Sequence, residues 1–174
     1  MKRVAEREGE DGNDDRAPKC LSAILSSAPC NVHEVESAAG ELIAALLEED
    51  SDESTVMDRF KARHACRTQT DGKQPQPLAD AYDKAGTPEI WRGTDIIKEW
   101  TATKPSESAK RMPSCMAMRG EHDFVTAECV EGWKKEFNHP FVRVKELQNL
   151  SHHGLLEDGK AYGEIVDSFF SEYD

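Results

Sequence analysis

The chain has 174 residues, the length of one domain or of one domain carrying an insertion. Asp and Glu number 34 against 22 Lys and Arg, a formal charge of −12. This speaks against a surface for nucleic acid or anionic lipid, both of which call for basic residues, and leaves a cationic ligand such as a free amine compatible.

Hydrophobic residues are 37% and charged residues 32% of the chain, leaner than an average globular protein, so part of it is expected outside the core. No apolar run reaches the roughly 18 residues of a membrane helix. The charged start, residues 1–9, does not read as a secretory signal. Five cysteines (Cys20, Cys30, Cys66, Cys115, Cys129) form no C-x-x-C pair. Neither a disulfide framework nor a zinc ribbon is expected, and a reducing cytoplasm fits best.

In chain order, residues 1–19 are charged with almost nothing to bury and read as a disordered tail. Residues 21–29 are short, mostly apolar and stopped by Pro29, the pattern of a buried strand entering a loop. Residues 33–47 place Val35, Ala38, Ala39, Leu42, Ala45 and Leu46 at helical spacing. The acidic run 48–53 reads as a solvated turn. A second helix is predicted over 55–67, with Val56, Met57, Phe60 and His64 on one side. Residues 68–77 form a polar loop broken by Gly72, Pro75 and Pro77. Short helices are predicted over 77–101.

The pattern then changes. Cys115-Met-Ala-Met118 is an apolar run ending at Arg119-Gly120, a strand-to-loop signal. A helix follows over 126–137, with Thr126 as N-cap and Glu128 in the first turn, where the helix dipole favours it. Residues 141–147 alternate as a strand does. A last helix is predicted over 155–173, striped by Tyr162, Ile165, Val166, Phe169 and Phe170. Strand, helix, strand, helix at this spacing argues for parallel strands joined by crossovers. The layout is therefore a tail (1–19), a first core strand and loop (20–32), a helical segment (33–104) and an α/β segment (105–174).

Two loops carry the candidate chemistry. Arg119-Gly-Glu-His-Asp-Phe-Val-Thr126 follows one strand, and Asn149-Leu-Ser-His-His-Gly154 follows the next. Parallel strands put both loops at the carboxyl edge of the sheet, where open α/β sheets place their sites. An Asp and a His meeting there are two-thirds of a nucleophile–base–acid triad, in the acid-then-histidine order that α/β-hydrolases use.

These loops carry a resemblance. From about Leu21 onward the chain resembles the second half of an α/β-hydrolase of the proline iminopeptidase type. The likeness is strongest in Arg119–Thr126 and in Ser151-His-His-Gly-Leu-Leu-Glu157, and it continues through Tyr162-Gly-Glu-Ile-Val-Asp-Ser-Phe-Phe170. Phe60-Lys-Ala-Arg-His-Ala-Cys66, Thr87-Pro-Glu-Ile-Trp-Arg-Gly93 and Ile97-Lys-Glu-Trp100 are similar to segments of that family's helical cap. The resemblance implies a partial α/β-hydrolase fold of about three parallel strands with flanking helices and an all-helical cap. It also implies Asp123 as triad acid, His152 as triad base, His153 as a neighbour without a triad role, and no metal or organic cofactor. The family releases an N-terminal residue, typically proline, from peptides. Its cap supplies carboxylates for the free amino group, and by motif position Glu89 is the candidate here.

One part of that pattern is missing. No serine sits in a G-x-S-x-G elbow, Ser26, Ser27 and Ser151 included, and there is no His-Gly-Gly oxyanion-hole segment. The expectation is a truncated chain, inactive alone, from an aminopeptidase lineage. Alternatively an N-terminal half completes the enzyme in trans, or the chain is a non-catalytic binding module. Descent from another α/β-hydrolase, such as an esterase, is the reading that the cap motifs oppose.

Overall fold

A computed structural model describes residues 20–69, 73–85, 100–102, 113–137 and 142–173. Three strands, β1 (Ser22–Ser26), β2 (Ser114–Gly120) and β3 (Val142–Leu147), form one sheet in the order β1-β2-β3. Both pairings are parallel; Ser22 faces Ser114 across the first, and Gly120 faces Leu147 across the second. The parallel arrangement expected from the sequence is therefore present. Among the described residues six α-helices accompany the sheet: α1 (Val32–Glu49), α2 (Val56–Phe60), α3 (Gln76–Ala85), α4 (Ala127–Phe137), α5 (Gly154–Glu157) and α6 (Gly159–Ser171).

The central strand is buried on both faces, which is why Cys115-Met-Ala-Met118 reads as a continuous apolar run and not as an alternation. Successive side chains leave a strand on opposite faces. Met116 and Met118 join Leu147, Leu150 and Phe169, with Ile24, Tyr162 and Ile165 packed around them under α6. Ala117 faces the other way, onto Val125, Cys129 and Val130, with Leu25, Val35, Ala38 and Trp133 packed against them from β1, α1 and α4. A third cluster, Leu46, Val56 and Phe60 with Leu42 and Ile43, joins α1 to α2. Phe124 touches both of the last two clusters and links the helical segment to the sheet.

The helical segment leaves and returns at one place. Val32 N donates to Trp100 O at 3.1 Å, Ala102 N donates to Cys30 O at 2.8 Å, and Asn31 and Thr101 form an antiparallel bridge between them. Asn31 also caps α1, its Oδ1 accepting from His33 N at 2.9 Å. At the other end of α1, the Arg59 guanidinium takes up Leu46 O at 2.6 Å and Asp50 O at 2.8 Å, satisfying carbonyls near the helix end.

The structure departs from the sequence expectations in four places. The strand expected over Cys115–Met118 runs on through Arg119 and Gly120. Arg119 is buried there because its guanidinium donates to Gly120 O at 2.7 Å and pairs with Glu146. The helix expected over 55–67 is α2 followed by a π-helical turn, Lys61–Ala65, closed by Cys66 N donating to Lys61 O at 3.0 Å. The helix expected over 155–173 is two helices. Asp158 ends α5 through its N–H and starts α6 as N-cap, its Oδ1 accepting from Ala161 N at 2.9 Å. Residues 77–101 yield α3 only in part, since its first residue is Gln76 and residues 86–99 lie outside the described ones, as does the tail 1–19. The five cysteines are free thiols, Cys20 exposed and the others buried. Among the described residues no helix is long and apolar enough to cross a membrane.

Gly120, the last residue of β2, lies where two backbones meet. A Cβ there would stand 2.3 Å from Leu150 O and 2.6 Å from Ser151 O, both main-chain atoms that cannot swing aside. Gly120→Ala is expected to cost about 3 kcal/mol of stability, the upper range for overpacking. Urea unfolding at an unchanged m-value would measure it; a loss below a few tenths of a kcal/mol would contradict the close approach.

Candidate active site

All three strands end at the same edge, and each sends one residue to a common point: Ser27 from the end of β1, Asp123 from the turn after β2, and His152 from the loop after β3. Asp123 and His152 are the two site residues that the sequence pairs, and the structure brings them together. His152 Nδ1 lies 3.0 Å from Asp123 Oδ1. The Asp123 side chain is fully buried, while that of His152 keeps a quarter of its surface exposed. Among the described residues His152 Nε2 has no hydrogen-bond partner.

Asp123 receives three donors. Oδ1 accepts from Val125 N at 2.9 Å as well as from His152, and Oδ2 accepts from Ser27 Oγ at 2.6 Å. An ionised carboxylate can only accept, so the bond to His152 places the imidazole proton on Nδ1 and leaves the lone pair on Nε2. The ring of His152 stacks on Phe124, centroids 4.2 Å apart and planes 26° apart, which sets its tilt. An acid that fixes the tautomer and a base with its second nitrogen free are the parts a proton transfer needs.

Ser27 is a residue that sequence reasoning missed as a partner of the acid. Its φ is +48°, in the left-handed region that a non-glycine residue enters at a cost of about 1 kcal/mol or more. Its N–H still donates to Met118 O at 2.7 Å, continuing the β1–β2 ladder, while its hydroxyl reaches Asp123. That hydroxyl bonds the carboxylate oxygen that the imidazole does not and lies 3.4 Å from His152 O; no bond joins it to the imidazole, so Ser27 is not placed as a nucleophile. No local signal marks this contact, because the two residues are 96 positions apart.

The base loop is held from below. The Glu157 carboxylate accepts from Ser151 N at 2.8 Å, from Ser151 Oγ and from Arg67 N at 2.7 Å, tying α5, the loop and the end of the π turn together. Asn149, with φ +61°, makes the sharp turn out of β3, and its N–H donates to Glu121 Oε2 at 2.8 Å. His153 stands edge-on to His152, ring centroids 5.0 Å apart, and makes none of the acid's bonds. Glu89, the amine-binding candidate, lies outside the described residues. Among the described residues no cluster of His, Cys, Asp or Glu is arranged to hold a metal ion.

With this geometry in view, comparisons with known proteins are informative. No model of a protein family matches the sequence, and no curated protein matches it. Solved structures do. A proline iminopeptidase from Mycobacterium smegmatis superposes with a TM-score of 0.64 at 21% identity, covering 88% of this chain and 57% of its own. The structure of VinJ gives 0.64 at 19% identity, with 88% and 58% covered. An N-acyl homoserine lactone degrading enzyme gives 0.50 at 14% identity, with 89% and 60% covered. The fold is thus a partial α/β-hydrolase-like fold, three parallel strands with flanking helices, and the chain spans less than two thirds of the length of these structures.

Two predictions follow from the site. Ser27→Ala removes a donor from a buried carboxylate and is expected to cost about 1–2 kcal/mol in chemical denaturation; an unchanged stability would mean that the hydroxyl contact is not made in solution. The second concerns pH. Burial pulls the His64 imidazole below the ordinary histidine value of 6.5, against the opposing pull of its bond to the His122 carbonyl. Burial, with the neighbouring His152 adding to it, lowers His153 in the same way. The unfolded chain then takes up protons before the folded one as pH falls. This stability is complete above pH 6.5 and is lost progressively below it. The Tm is expected to drop between pH 7.5 and pH 5, and a flat profile would contradict the burial of these two rings.

Proposed function

We propose that this chain carries the acid and the base of a serine-type hydrolase that releases N-terminal proline from peptides. The observation that supports it most directly is the Asp123–His152 pair at 3.0 Å on the carboxyl edge of a parallel sheet, with the second imidazole nitrogen unbonded among the described residues. The resemblance of both loops and of the cap motifs to proline iminopeptidases selects the aminopeptidase over other hydrolases, and the net charge of −12 suits a substrate with a free ammonium group.

In this reading a serine outside the G-x-S-x-G-less sequence of this chain approaches His152 Nε2. Nε2 takes the hydroxyl proton as the serine oxygen adds to the carbonyl carbon of the proline residue. It then delivers that proton to the departing peptide amine as the C–N bond breaks. Water hydrolyses the resulting prolyl ester by the same route, its proton passing through Nε2 back to the serine. Asp123 holds the Nδ1 proton and stabilises the imidazolium throughout. Glu89 receives the substrate's ammonium group. The partner is a polypeptide that adds a strand beside β1, which is an edge of the described sheet, and brings its serine to the same edge. A cytoplasmic setting suits the five free thiols.

The missing elbow supports a second reading, a non-catalytic interaction module that keeps the fold. One experiment separates the two. The protein is purified from its own cells with whatever accompanies it and assayed on proline 4-nitroanilide, on the N-acetylated analogue and on 4-nitrophenyl acetate. Turnover of the free-amine substrate alone is expected. His152→Ala should lower kcat by about a thousandfold or more, and Glu89→Gln should raise KM. Ester hydrolysis without anilide hydrolysis would replace the peptidase with an esterase. No turnover of any substrate by a folded protein would favour the interaction module.

A further inference from the structure

The stretch Phe60-Lys-Ala-Arg-His-Ala-Cys66 takes no part in the chemistry above, yet it lies against both loops that carry it. A helix end leaves carbonyls without partners inside the helix. At the end of the π turn these carbonyls meet the base loop: His64 O accepts from His152 N at 3.2 Å, and Ala65 O accepts from His153 N at 2.9 Å. The His64 side chain reaches the other loop. Its Nδ1 lies 2.8 Å from His122 O, and because a carbonyl only accepts, Nδ1 is the donor. One residue thus grips the backbone of the base with its carbonyl and the backbone just before the acid with its ring. Phe60 extends the arrangement, its ring 5.4 Å from that of His64 and 5.9 Å from that of Phe124, on which His152 stacks.

We infer that His64 is a positioning residue for the Asp123–His152 pair, setting the spacing of the acid turn and the base loop through these two hydrogen bonds. The inference rests on the reading of His152 as the base, but it is read out on the imidazole itself and not on turnover. His64 is buried, 8% exposed, so a core role must be told apart from a positioning one. A core role needs only a side chain of suitable size. A positioning role needs a donor at the place of Nδ1. Asn carries its amide on Cγ, as His carries Nδ1, whereas the Gln amide falls nearer the place of Nε2. A π-helical turn at this point agrees with the tendency of such turns to occur at functional sites.

The test is NMR of the intact protein labelled with 15N in its histidines, the His152 resonances being assigned by their loss in His152→Ala. The unsubstituted protein should show a slowly exchanging, downfield Nδ1 proton for His152 and a single tautomer. His64→Asn should keep both. His64→Gln should speed exchange of that proton about tenfold, the effect of one hydrogen bond of ordinary net strength on an opening equilibrium, and should mix the tautomers. Identical behaviour of the two variants, whether both keep the proton or both lose it, overturns the inference. So does loss of the fold in both, which would make His64 a core residue. Absence of the proton in the unsubstituted protein is a separate failure, that of the acid–base pair itself.

Discussion

One buried carboxylate organises this end of the molecule. Asp123 has no exposed side-chain surface, and a lone charge in such a place would be costly. Three donors from three separate segments offset that cost: the Ser27 hydroxyl at the end of β1, the Val125 amide just beyond β2, and the His152 ring beyond β3. Each comes from the carboxyl end of a strand, which is possible only because all three strands run the same way. Strand direction, strand order and the two tight turns are therefore tied to a single group. The backbone contact at Gly120 is the steric side of the same arrangement. It lets the acid turn and the base loop touch main chain to main chain, as the 2.9 Å bond from His122 N to Leu150 O shows.

The helical segment is joined to this centre at two levels. Its entry and exit are stitched together at Asn31 and Thr101, so it can hang from the sheet without breaking the β1–β2 pairing. Its inner side continues the core through Phe124, which packs with the sheet cluster, with the α1–α2 cluster and with the His152 ring. A displacement of α2 and the π turn would disturb the stacking and the His64 and Ala65 carbonyl contacts together. The π turn and the His152 loop are thus joined by hydrogen bonds, and Glu157 reinforces this by accepting from both Arg67 N and Ser151 N.

Much of this was legible in the sequence where the signal is local. Alternation marked β3, an unbroken apolar run marked the doubly buried β2, helical spacing marked α1, and a capping Thr126 with Glu128 in the first turn marked α4. Position after a strand marked Asp123 and His152, because parallel strands leave little choice about where their following loops lie. What escaped was set by contacts across long stretches of chain. Arg119 looks like a loop residue until Glu146 and the Gly120 carbonyl are beside it. Asp158 lies within an apparently continuous helical stripe, and its two roles, ending α5 and capping α6, show only in the turn it makes. Ser27 carries no mark at all, since its value lies in a bond to a residue 96 positions away and in a backbone angle that its neighbours do not announce.

The contacts around the Asp123–His152 pair also bear on its chemistry. Among the described residues, Ser27, Val125 and His152 donate to Asp123, and the His64 and Ala65 carbonyls hold the His152 loop. The bond to Asp123 and the stacking on Phe124 set the tautomer and the tilt of the His152 ring. Preorganisation of this kind lowers the reorganisation needed when a proton moves, because the dipoles that stabilise the imidazolium already point at it. It also leaves Nε2 as the imidazole nitrogen open to exchange a proton. Nε2 makes a single, directional demand, a donor within hydrogen-bond reach on the open side of the ring. Ser27, the residue that follows β1, bonds the carboxylate oxygen that the imidazole does not. A proton exchanged at Nε2 would therefore leave the Ser27 and Nδ1 bonds to Asp123 in place.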